Sequence, residues 1–111
     1  MKIEGHVHFA GDGSKGSGCW LRRNSLLDRI AEPILKMQAG IFQTSRILGL
    51  DLAYEQKLVE LIEQSSLDSV LLLAMDHPYD ALGNCLKKSA KFFVPNEHVL
   101  SLAEKYQQII P

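Results

Sequence analysis

Cysteine is scarce in this chain: Cys19 and Cys85 are the two present, and neither sits in a Cys-x-x-Cys pair. That usage supports no disulfide framework and fits two reduced thiols in an intracellular, cytoplasmic protein. Long apolar runs are missing as well. The longest, Val70 to Met75, covers 6 positions, against about 20 needed to span a bilayer, so no membrane partner is expected. Met1-Lys2-Ile3-Glu4 passes straight into a strand-like pattern, without the charged-then-apolar leader of a signal peptide. An excess of either charge is also absent. The formal net charge is −1 with the basic residues scattered, which excludes a dedicated nucleic-acid surface. Internal repeats and low-complexity segments are lacking too. What remains, 46% hydrophobic and 23% charged residues over 111 positions, suits one small folded domain.

Residues 2 to 10 alternate. Ile3, Val7 and Phe9 fall on one side and Glu4, His6, His8 and Ala10 on the other, which predicts a first strand. Residues 11 to 23 are rich in glycine and serine and read as a loop carrying Trp20, Arg22 and Arg23. Helices are predicted over 24–64. Asn24 or Ser25 caps the first, and Leu26, Leu27, Ile30, Ile34 and Leu35 recur at three- and four-residue steps. Pro33 should split this region into two short helices. A clearer helix spans Asp51 to Gln64, with Tyr54, Leu58, Leu61 and Ile62 as its buried stripe. Residues 69–76 form a continuous apolar run, the mark of a second strand covered on both faces. A short strand is expected at Lys91 to Val94 and a last helix over 97–108. Strands alternating with helices predict an α/β fold with parallel strands.

The segment "GDGSKG", Gly11 to Gly16, matches a dinucleotide fingerprint by letter. Its context does not: the helical pattern starts only after Asn24, and the next good strand starts near Ser69. A Gly-Lys-Ser/Thr phosphate loop and a Gly-x-Ser-x-Gly elbow are missing as well. The loop reads as a flexible segment at the mouth of a site.

His6 and His8 carry more chemistry. Residues i and i+2 of a strand project from one face about 6.5–7 Å apart. Imidazoles so placed can tilt toward one ion at roughly 2 Å from each nitrogen. Glu4, on the same face, offers a carboxylate to orient one ring. The pair falls near the C-terminal end of the first strand, the edge where α/β folds bind ligands. His77 follows the second strand and reads as the start of a loop. His98 falls off the apolar stripe of the last helix and reads as solvated.

The stretch "EGHVHFAGDGSKGSGCWLRR" resembles the first strand and following loop of the amidohydrolase superfamily. It is most similar to the branch described as TIM-barrel metal-dependent hydrolases. "VLLLAMDHPYDALG" and "FFVPNEHVLSLAEKY" are similar to the second strand and helix of those proteins. The resemblance covers nearly the whole chain and implies the N-terminal portion of a (β/α)8 TIM barrel, incomplete over residues 1–111. It implies a divalent metal ion, zinc foremost, held in part by His6 and His8. It also implies a small-molecule substrate in which a metal-activated water attacks a C–N or C–O bond. Family members often carry Asp where this chain has Glu4. Their further histidines and late catalytic aspartate have no counterpart here. A metal-dependent decarboxylase on the same scaffold and a small non-enzymatic α/β binding module are the rival readings. A barrel needs about 250 residues, so this chain is expected to be a fragment, inactive alone, with open strand edges that favour homo-oligomerisation or poor order.

Overall fold

A computed structural model describes residues 1–22 and 25–111, the side chain of Ser89 aside. Among these residues three parallel strands form the main sheet: β1 (Ile3–His8), β3 (Ser69–Leu73) and β5 (Ile109–Ile110), in the order β1–β3–β5. Two further strands, β2 (Trp20–Leu21) and β4 (Phe92–Phe93), pair antiparallel in a separate small sheet. Helices α1 (Leu26–Gln38), α2 (Phe42–Leu48) and α3 (Leu50–Gln64) link β1 to β3, and α4 (Asn96–Lys105) links β3 to β5. The architecture is thus mixed α/β on a parallel sheet, with sequence-adjacent strands of that sheet lying side by side. Among the described residues no helix is long and apolar enough to cross a membrane.

The main core lies where α3 and α4 cover one face of this sheet. Phe9, Leu58, Ile62, Val70, Leu72, Val94, Val99, Leu102 and Ile109 meet there, all buried. Along β3 burial alternates: Val70 and Leu72 are enclosed, while Ser69, Leu71 and Leu73 are half-buried. The continuous apolar run is therefore covered on one face and partly open on the other, not enclosed on both as its composition predicts. Its neighbours occupy both edges, β1 on one side and β5 on the other.

The observed bounds shorten the predicted strands, from 2–10 to 3–8 and from 69–76 to 69–73. The last helix ends at Lys105, after which Ile109–Ile110 joins the sheet. Pro33 does not divide the first helical region; α1 runs through it as one helix. The ring removes the hydrogen bond that the Arg29 carbonyl would accept, but α1 has no buried residue, so water can replace it. Ser25 caps α1 reciprocally, its hydroxyl accepting from the Asp28 N–H (3.0 Å) while Asp28 accepts from the Ser25 N–H (3.4 Å). Asn24 and Arg23 lie outside the described residues.

On α3 the expected stripe is displaced. Leu61 is 52% exposed, and the buried line runs through Asp51, Glu55, Leu58 and Ile62. Two acids stand on the inner face, where each needs partners to offset its desolvation. Glu55 finds them on and just after α4: Lys105 Nζ at 2.7 Å and the Tyr106 hydroxyl at 3.0 Å donate to its Oε2. These bonds clamp α3 to α4.

Candidate functional site

β1 enters the sheet with an irregularity. Glu4 pairs with Val70 and His8 with Leu73, so β1 advances four residues where β3 advances three. One extra residue, accommodated between Glu4 and Val7, makes a β-bulge. Its consequence is a change of phase. Val70 and Leu73 lie on opposite faces of β3, so their partners Glu4 and His8 do too. Glu4 therefore does not share the histidine face, correcting the simple alternation. Its carboxylate instead accepts the His6 backbone N–H at 3.3 Å.

The two histidines do meet. His6 and His8 stand edge to face with ring centroids 4.7 Å apart, and their Nε2 atoms are 2.9 Å from each other. Two ring nitrogens at this separation share a proton, one donating and one accepting. The same separation suits shared coordination: ligand nitrogens about 2.0–2.1 Å from an ion stand roughly 3 Å apart. The residues present thus fit two positions of a metal's shell. No group of three or more His, Cys, Asp or Glu suited to a metal occurs among the described residues, so the pair falls short of the three protein ligands of a catalytic zinc. His8 Nδ1 is buried and lacks a hydrogen-bond partner, so the acceptor that commonly orients a ligating imidazole is not among the described residues.

Behind the pair the backbone is held firmly. The Tyr54 hydroxyl donates to the His8 carbonyl at 3.1 Å, and the Tyr54 ring packs edge-on against Phe9 at 4.9 Å. α3 thereby fixes the C-terminal end of β1.

The glycine loop is not floppy, because Asp51 gathers it. The carboxylate accepts from the N–H groups of Asp12 (2.8 Å), Gly13 (3.1 Å) and Lys15 (3.2 Å), and from the Ser17 hydroxyl (2.6 Å). The loop curls its amides inward as a phosphate-binding loop does, but the anion it encloses is the chain's own. A Cβ at Gly11 would collide with Asp51 Oδ1, so glycine is required there. Burial alone would raise the Asp51 pKa, yet the bonds from Ser17, Lys15, Gly13 and Asp12 outweigh it and hold the carboxyl below its ordinary value. Beside the loop, burial raises the Cys19 thiol more than its bond with Ser17 lowers it.

His98 is not solvated. Its ring packs against Phe9 with centroids 4.7 Å apart, and its Nε2 is buried without a hydrogen-bond partner. Burial lowers its pKa, only partly countered by the charges of Asp51 and Glu55. With Ser17, Asp51, Glu55, Ser101 and Lys105 it lines a cavity of about 530 Å³. His77 stacks on Phe93 at 4.6 Å and on Trp20 at 5.6 Å, closing an aromatic cluster over the β2–β4 pair. Arg22 lies over Trp20 and donates to the carbonyls of Lys87 and Lys88, so it buttresses a loop.

The period of two places His6 and His8 on one strand, where their rings meet, but gives no sign of Asp51, whose loop partners lie 34 to 39 residues away. No family model, curated protein or solved structure matches the chain.

Proposed function

We propose that His6 and His8 are two ligands of a divalent-metal site in a hydrolase of the amidohydrolase type, zinc being the expected ion. The observation that carries the reading is the convergence of their Nε2 atoms to 2.9 Å at the C-terminal end of a parallel strand. Ligand sites of α/β folds gather at that edge. The side-by-side order β1–β3–β5 with helical crossovers is the order of successive strands in a (β/α)8 barrel, and supports reading the chain as a barrel sector. So do the outer edges of β1 and β5, which pair with no strand among the described residues.

When bound, a divalent ion supplies positive charge that acidifies a water and polarises a carbonyl. This chain's residues hold and shape. The imidazoles of His6 and His8 present lone pairs, the Tyr54 hydroxyl fixes the His8 backbone, and Asp51 sets the loop that leaves β1. A third ligand and a base belong to residues beyond this pair.

Calorimetric titration with zinc tests the reading on the chain itself. Weak binding is expected, lost on His6→Ala or His8→Ala and retained on His77→Ala. Tight one-to-one binding lost on His6→Ala would reveal a further ligand within the chain, with Asp76 the first to examine. Zinc binding unaffected by either substitution contradicts the proposal.

A further inference from the structure

Helix α1 turns its most apolar face away from the protein. At 100° per residue, Leu26, Leu27, Ile30, Ile34 and Met37 fall within about 100° of arc, the width of an ordinary buried stripe. Yet Leu27 is 75% exposed, Ile30 53%, Ile34 51% and Met37 65%. The opposite side, where Asp28, Ala31, Glu32 and Lys36 are half-buried, faces the body across a cavity of about 450 Å³. A helix normally places its stripe against the largest apolar surface available. The polar bonds on that side, the Ser25–Asp28 capping box and the Glu32–Lys36 ion pair at 2.8 Å, both run within α1 itself.

We propose that this outward stripe is a homodimer interface in which α1 packs antiparallel against α1 of a second copy. The spacing of Leu27, Ile30, Ile34 and Met37 is three, four, three, which reads the same in both directions. An antiparallel partner on a two-fold axis therefore sets Leu27 against Met37 and Ile30 against Ile34, each pair occurring twice. These are a and d positions of two heptads, the pattern of knobs-into-holes packing. The flanking e and g positions hold Leu26, Ala31, Pro33 and Gln38, so no like charges oppose a second copy. The exposed apolar side chains of α1 offer on the order of 600 Å² per copy, close to the roughly 800 Å² per partner of a standard interface. The charges of α1 argue against a lipid surface as occupant. Asp28 and Glu32 balance Arg29 and Lys36, whereas membrane-surface helices carry an excess of Lys and Arg.

Sedimentation equilibrium of the whole chain tests the interface, and cross-linking tests its direction. A concentration-dependent monomer–dimer equilibrium is expected, abolished by Ile30→Glu with an unchanged circular dichroism spectrum, because Ile30 lies on the surface of the monomer. In a Cys85→Ser background, Leu27→Cys with Met37→Cys should give a disulfide-linked dimer on oxidation. Leu27→Cys alone should not, because the two copies of that position then lie about 15 Å apart, ten residues of helical rise. A chain that stays monomeric, a dimer indifferent to Ile30→Glu, or ready cross-linking of Leu27→Cys alone would overturn the proposal. None of these outcomes depends on metal.

Discussion

Asp51, a carboxylate buried beneath a loop, and His98, half-buried against a phenylalanine, should each make stability depend on acid in a separate window. Asp51 has a lowered pKa, so the folded state favours its ionised form. Its contribution is complete above the ordinary carboxylate value of 3.8 and is lost as pH falls through the lower folded value. Asp51→Asn should cost about 1–3 kcal/mol at neutral pH and flatten the acid limb of a denaturant–pH series. His98 also has a lowered pKa, with burial the leading cause. A histidine held neutral in the fold contributes fully above its ordinary value of 6.5, and stability then declines as pH falls below it. His98→Phe, which keeps a ring against Phe9, should remove the decline below pH 6.5 and leave the Asp51 limb in place. Chemical denaturation across pH reads both limbs.

At the level of elements, legibility followed local pattern. The strand carrying His6 and His8 shows in its period of two, and α3 in its length and leucine spacing. The buried line of α3 was hidden because two of its members, Asp51 and Glu55, are acids whose partners lie across the fold. Strand β2 is two residues long and exists through its pairing with β4, which no local window contains. The bulge that turns Glu4 away from the histidines depends on the register with β3, equally out of local reach. For α1 the stripe was legible but its direction was not, since periodicity names a face without naming what it meets. Two substitutions examine this helix. Ser25→Ala, by removing the capping box, should destabilise α1 by about 1 kcal/mol. Pro33→Ala should restore the bond to the Arg29 carbonyl and slow amide hydrogen exchange along α1. Protection unchanged by both would mean that α1 draws its order from elsewhere.

Over the whole molecule, a three-stranded parallel sheet has one face packed under α3 and α4 while the other leaves Leu71 and Leu73 half-buried. Its histidine pair stands at the C-terminal end of β1, anchored by Tyr54 and flanked by a loop that Asp51 keeps shaped. The central claim is that this pair binds a divalent ion through both rings at once. The most direct measurement is a histidine-ring ¹H–¹⁵N correlation spectrum recorded through a zinc titration. The Nε2 signals of His6 and His8 are expected to move together to the shifts of metal-bound nitrogen, while those of His77 and His98 stay in place. Ring signals of His6 and His8 that stay unchanged, or movement of only one of them, would contradict it.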